Sequence, residues 1–178
     1  MSRRARLALA AVLVIGTGCS APAVSPVATP IPSTAPTPTP PPTLQLRDVD
    51  ATPAIRSEAA IGLAFDAASA ASLVDPVPTA IDFGADALVC VYLGARPTTG
   101  WGLALQSASL NNGVLEIRAR ETRPGGGARD EITYPADCGL LSRGALPPGP
   151  LAVRADDTIS EEFITDGQVT VPPDGEAP

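Results

Sequence analysis

Histidine and lysine are absent from the 178 residues, and aromatic side chains make up only 3% of them. Without histidine the chain has no Ser-His-Asp or Cys-His relay and no imidazole ligand for zinc, copper or haem. Without lysine it has no Schiff-base amine and no P-loop lysine. All 12 basic residues are arginines. The groups that remain for chemistry are carboxylates, hydroxyls, thiols and guanidiniums. They fall in no pattern that marks an active site, so no catalytic residue, metal ligand or cofactor is expected and the chain reads as a non-enzyme. The 12 arginines face 19 acidic residues, a formal charge of -7. That sign disfavours nucleic acid and tight electrostatic adsorption to an anionic bilayer.

What is present begins with an address. Arg3, Arg4 and Arg6 form a basic segment, Leu7 to Ile15 an apolar one, and Gly16-Thr17-Gly18-Cys19 follows. The apolar run is shorter than the ~20 residues that span a bilayer, which marks a signal peptide over residues 1–18 rather than an anchor helix. A cysteine directly after a small residue resembles the lipobox of bacterial lipoproteins, with Gly16 where that motif usually has leucine. The resemblance implies cleavage before Cys19 and a covalent diacylglycerol and acyl lipid on its sulfur. It also implies an extracytoplasmic protein held on a bacterial membrane. The alternative is an ordinary signal peptide cut near Ala21 or Ala23. Loss of the three leading arginines would bring the net charge to about -10.

Residues 19–43 are dominated by proline, alanine, threonine, serine and valine and end in Pro36-Thr37-Pro38-Thr39-Pro40-Pro41-Pro42-Thr43. Proline supplies no ladder donor and the stretch has little apolar surface to bury, so an extended tether is expected. A folded domain over residues 44–170 and a frayed tail over 171–178 follow. In an exported protein Cys90 and Cys138 are candidates for a disulfide that closes a loop of roughly 50 residues. Two buried thiols are the alternative.

Strand signals dominate the domain after residue 80. Ala87 to Leu93 is a continuous apolar run suited to a buried strand, and Trp101, Leu103 and Leu105 share one face of the next. After Asn111-Asn112-Gly113, a strong hairpin signal, Leu115, Ile117 and Ala119 alternate with Glu116, Arg118 and Arg120. Glu131 to Tyr134, across the Pro124-Gly125-Gly126-Gly127 loop, is the expected partner of that strand, and Leu151 to Arg154 is a further one. Glu58 to Phe65 reads as an opening strand. Asp66 is placed to N-cap a helix over Ala67–Val74 that Asp75-Pro76 would end. The expected fold is mainly β, a small antiparallel sandwich or open barrel with at most one short helix.

The sharpest local feature is Gly94-Ala95-Arg96-Pro97-Thr98-Thr99-Gly100-Trp101 between two strands. Pro97 fixes its own φ and disfavours helix at Arg96, Thr98 and Thr99 are placed to bond nearby backbone, and Gly100 permits positive φ. A stiff loop of this kind is expected to present backbone polar groups and to bind with little ordering cost. The plainer alternative is a strand connection with Trp101 plugging the core.

Together, Ile81-Asp82-Phe83-Gly84, Val89 through Trp101, Arg123-Pro124-Gly125-Gly126-Gly127 and Thr133-Tyr134-Pro135 resemble the PrcB-type C-terminal domain of protease complex subunits. That family shows a strand ending in G-x-r-P-T-G-G-Y. Here Thr99 replaces the first paired glycine and Trp101 the tyrosine. The resemblance covers residues 80–155. It implies an exported, lipid-anchored protein-binding module that stabilises or assembles an extracytoplasmic protease or other surface complex. Pro97-Thr98-Thr99-Gly100-Trp101 also resembles the NPTTGY loop of chagasin-type inhibitors of papain-like cysteine proteases, with Arg96 in place of asparagine. That likeness implies protease inhibition through Arg96 to Trp101. An envelope-structural module without a protease partner is the remaining reading.

Asp156-Asp157 and Glu161-Glu162 lack the glycine and alternating ligands of a calcium loop and read as a solvated acidic surface. Arg118, Arg120 and Arg123 read as an exposed basic strand face, available to an acidic partner.

Overall fold

The computed structural model describes residues 42–173. The signal segment, Cys19, most of the proline-rich stretch and the last five residues lie outside the described residues. The described residues form nine strands, one α-helical turn and a 3-10 turn at Arg143–Ala145, the strands and α-helix in chain order being β1 Thr43–Leu44, β2 Leu46–Asp48, β3 Ala59–Ala64, α1 Ala67–Ala70, β4 Asp86–Leu93, β5 Gly102–Asn111, β6 Val114–Thr122, β7 Ala136–Ser142, β8 Gly149–Asp157 and β9 Phe163–Val171. They build two sheets, β1-β5-β6-β8-β9 and β2-β7-β4-β3. The fold is the expected β-rich one, antiparallel except where β6 and β8 run parallel.

β4 is buried at all eight positions. Ala87, Val89 and Val91 face the space between the sheets and pack with Leu115, Ile117, Leu151 and Val153. Leu88, Cys90 and Tyr92 point the other way, into a second cluster roofed by Ala70, Leu73 and Val74. A strand covered on both sides needs no polar alternation, which accounts for its unbroken apolar run. β6 in the facing sheet alternates instead: Leu115, Ile117 and Ala119 are buried while Arg120 is exposed.

The second cover comes from the connection between β3 and β4. The Asp66 carboxylate accepts the Ser69 N–H at 2.7 Å, the expected N-cap. The α-helix stops at Ala70, four residues before the predicted end, because Leu73 and Val74 drop into the cluster and Val74 bridges Pro53. The Tyr92 hydroxyl donates to the Leu73 carbonyl, and the Arg56 guanidinium sits 4.9 Å above its ring. Burial pushes the Tyr92 hydroxyl pKa up, against the opposing pull of Arg56.

Three devices join the sheets. The chain from Thr43 to Asp48 pairs first with β5 in one sheet and then with β7 in the other, turning the corner at Gln45. On the same side the Asp137 carboxylate of β7 accepts the Leu105 N–H of β5 at 2.7 Å, where β5 carries a bulge. On the far side Gly167 of β9 lies against Ile61 of β3.

Cys90 and Cys138 stand directly opposite each other on β4 and β7 and form a disulfide, with Cα atoms 4.1 Å apart. The bridge pins the central pair of the four-stranded sheet beneath Tyr92. Glu131 to Tyr134 is not the strand partner of β6. That place belongs to β5 and β8, and only Thr133 of the segment forms a bridge, with Arg96.

A bridge across 48 positions removes denatured-state entropy worth about 3–4 kcal/mol. The double substitution Cys90→Ala with Cys138→Ala is therefore expected to lower the unfolding free energy by about that amount. Urea denaturation measures it, and an unchanged midpoint would show that the bridge contributes nothing.

Candidate functional site

Strand directions gather one set of connections at one end of the sandwich. Ala59 pairs with Leu93, Tyr92 with Ala136, Gly102 with Thr122, and Asp156 with Phe163. The segment before β3, the Gly94–Trp101 loop, the Arg123–Pro135 loop and the Thr158–Glu162 turn therefore share this end. The Asn111–Gly113 hairpin and the Arg143–Pro148 connection occupy the other. Chain entry lies there too, since the Leu110 N–H donates to the Pro42 carbonyl at 3.3 Å, and β9 ends there with Val171 opposite Gly149.

The Gly94–Trp101 loop is built by its own sequence and strapped by its neighbour. Gly94 has φ +76°, and a Cβ on it would lie 2.8 Å from the Ala59 backbone nitrogen. Arg96 and Thr133 exchange two backbone hydrogen bonds, of 2.8 and 2.9 Å. The Thr99 N–H donates to the Arg129 carbonyl at 3.0 Å, and its hydroxyl accepts the Arg129 N–H at 3.0 Å. The Thr133 hydroxyl donates to the Thr98 carbonyl, while the Thr98 hydroxyl accepts the Trp101 indole N–H at 3.2 Å. Gly100, at φ +87°, is exposed and abuts Pro124. Pro97 is exposed as well.

The loop is cross-bonded to its neighbour, and Arg96, Thr98 and Thr99 turn polar groups inward onto residues 129–133 rather than presenting them outward. Trp101 is half-buried, with the Arg96 guanidinium 5.3 Å from its ring centre. Beside this pair opens a cleft of about 290 Å³ whose walls include Leu93, Arg123, Asp157 and Phe163.

The reading of a solvated acidic surface holds for Glu161 and Glu162, which are exposed, and fails for Asp156 and Asp157. Asp157 is 3% exposed and Asp156 6%. The Asp157 carboxylate accepts the Glu121 N–H at 2.9 Å, the Ser160 N–H at 2.8 Å and the Ser160 hydroxyl at 2.7 Å. Burial alone would raise its pKa, but the N–H groups of Glu121, Ser160 and Ile159 and the Ser160 hydroxyl outweigh it and hold the carboxyl at about 2. A carboxylate so held is a poor proton acceptor, and it serves to lock the Thr158–Glu162 turn to the end of β6. Asp156 pairs with Arg154, and Glu162 with Arg123 at 2.8 Å. Among the described residues no group of three or more carboxylates or thiols is placed to hold a metal ion. Of the basic stripe, only Arg120 and Arg123 are exposed, and Arg118 is half-buried.

Sequence reading missed the residues that distinguish this end. Among the described residues the exposed large apolar side chains are Ile55, Ile132, Tyr134, Ile159 and Phe163. All five lie on the connections or strand starts of the loop end. Their signal was an isoleucine or aromatic set among turn formers, as in Thr158-Ile159-Ser160, where no core strand explains it. Comparison with protein-family models, curated proteins and solved structures gave no match to this chain.

Two outcomes test the construction. Gly94→Ala combines a left-handed φ with a clash against backbone and is expected to cost at least about 2 kcal/mol in chemical denaturation. Asp157→Asn removes charge-assisted acceptors and is expected to cost about 1.5–3 kcal/mol at pH 7. Because the folded carboxyl titrates at about 2 against an ordinary 3.8, its contribution is complete above about pH 4 and is lost as pH falls toward 2. The gap between wild type and Asp157→Asn should close across that interval, and a gap independent of pH would refute the account.

Proposed function

We propose that this protein is an extracytoplasmic binding module, lipid-anchored at Cys19 and tethered by its proline-rich segment. It engages a protein partner through the loop end of its β domain and acts by binding rather than by catalysis. The observation that carries the reading is the placement of apolar surface. Five large apolar side chains of the described residues are exposed on three connections and the first residue of β9 at one end, while Pro42 enters at the other. Large apolar side chains left exposed at one end of a domain are surface that a partner would cover.

The rigidity of the Gly94–Trp101 loop supports the same reading, because a loop already held by residues 129–133 loses little freedom on docking. The likeness of this loop and its flanks to the PrcB-type domain favours a secreted or surface protease complex as the partner, with stabilisation or assembly as the outcome.

Crosslinking capture from native envelopes tests this reading with Ile132→Glu and Ile159→Glu, which alter exposed positions and should leave the unfolding midpoint unchanged. Recovery of the partner is expected to fall at least tenfold. Wild-type recovery with both variants would overturn the reading. If the captured partner is a protease, preserved activity on adding the purified domain fits a stabilising subunit, and stoichiometric loss fits an inhibitor.

A further inference from the structure

The Arg123–Pro135 loop ends in a piece of strand that β7 does not include. Thr133 exchanges both backbone bonds with Arg96, and the Pro135 carbonyl accepts the Leu93 N–H at 2.9 Å. Backbone groups alternate sides along an extended strand. With 133 and 135 turned toward the Leu93–Arg96 segment, the N–H and C=O groups of Ile132 and Tyr134 face the opposite side. No described residue bonds them. β2 covers the outer edge of β7 only from Gly139 to Leu141, and the chain leaves that edge after Asp48. The upper edge is left bare, and Ile132 and Tyr134 are 62% and 40% exposed.

Bare sheet edges are normally short, charged, bulged or covered. This one carries two large apolar side chains two residues apart on one face, with Thr133 turned to the other. An edge with free donors and acceptors and flanking apolar side chains fits one kind of occupant, an extended main chain that adds a strand.

We propose that residues 131–134 form a strand-acceptor edge, and that the partner contributes an extended segment whose backbone pairs with Ile132 and Tyr134 and whose apolar side chains pack beside theirs. The proposal rests on the loop end being the protein-binding end, and specifies how it binds. The chain's own proline-rich stretch is a poor occupant. It enters at the opposite end and its prolines carry no N–H. A second copy pairing the same edge about Thr133 is the competing occupant, and sedimentation separates it below.

Strand addition draws its affinity from main-chain bonds, so a generic β-forming peptide is a valid probe. The probe is an acetylated and amidated peptide of alternating threonine and valine with terminal lysines, titrated into the folded domain and followed by amide NMR. A second peptide of the same sequence, N-methylated at every other residue on the pairing side, keeps the side chains and removes the donors.

The plain peptide is expected to shift the Ile132 and Tyr134 amides and to slow their solvent exchange at least tenfold at saturation. The Thr133 and Arg96 amides should be protected with or without it, and the methylated peptide should leave all four unchanged. Equal effects of both peptides, shifts confined to other residues, or no shift at all would overturn the proposal. So would a concentration-dependent dimer in sedimentation that Ile132→Pro abolishes, since the edge would then belong to a second copy. An inert peptide together with partner loss in the Ile132→Glu capture would sink strand addition and leave the binding end standing. A peptide response with undiminished capture would do the reverse.

Discussion

A strand buried on both faces must be covered twice, and β4 imposes that requirement on the whole domain. One cover is the five-stranded sheet, which meets Ala87, Val89 and Val91. The other is the chain between β3 and β4, whose short helix and the turn after it bring Ala70, Leu73 and Val74 over Leu88, Cys90 and Tyr92. With six aromatic residues in the chain, each cluster buries a single ring, Phe65 in one and Tyr92 in the other, and the disulfide and the Tyr92 hydroxyl bond to Leu73 supply further fixed points. The loop end inherits its rigidity from this centre. Gly94 follows Leu93 without a break, and the strap from Arg129 to Pro135 continues the pairing of β7 with β4.

Much of this was legible in the sequence where one physical cause acted alone. The apolar run of β4, the Asn112-Gly113 hairpin, the alternation in β6 and the Asp66 cap each follow from local patterning, and each stands where expected. The Cys90–Cys138 pair followed from the cysteine count and the expectation of export. Legibility failed where tertiary contacts reassigned a residue's role. β7 was invisible because Asp137 and Gly139 break its apolar pattern. In the fold Asp137 binds the backbone of the other sheet, and a side chain on Gly139 would meet Leu46. β9 was hidden by Asp166-Gly167, a pair that reads as a turn but sits within the strand against Ile61.

The candidate site shows the same division. The loop from Arg96 to Trp101 was identifiable from proline, threonine and glycine chemistry, whereas the direction its polar groups take depends on Arg129 and Thr133, some 30 residues away. Asp157 read as a surface acid because acids usually are. Its burial is tolerated because backbone donors from Glu121 and Ser160 converge on it, an arrangement set by strand registry rather than by neighbours in sequence. The exposed apolar residues were hardest to see, since a single isoleucine in a turn carries no periodicity.

One consequence follows from where the two outer strands of the five-stranded sheet begin and end. β1 and the end of β9 both lie at the hairpin end of that sheet, four strand spacings apart, or ~19 Å. A linker of about seven residues spans that distance. The domain is thus topologically suited to circular permutation: its natural ends can be joined and new ones opened at Gly125–Gly127, where no neighbouring atom lies within 4 Å of an added Cβ. Such a rearranged chain would carry its fusion point at the loop end and present the same sandwich upside down, with the Asn111–Gly113 hairpin end outermost.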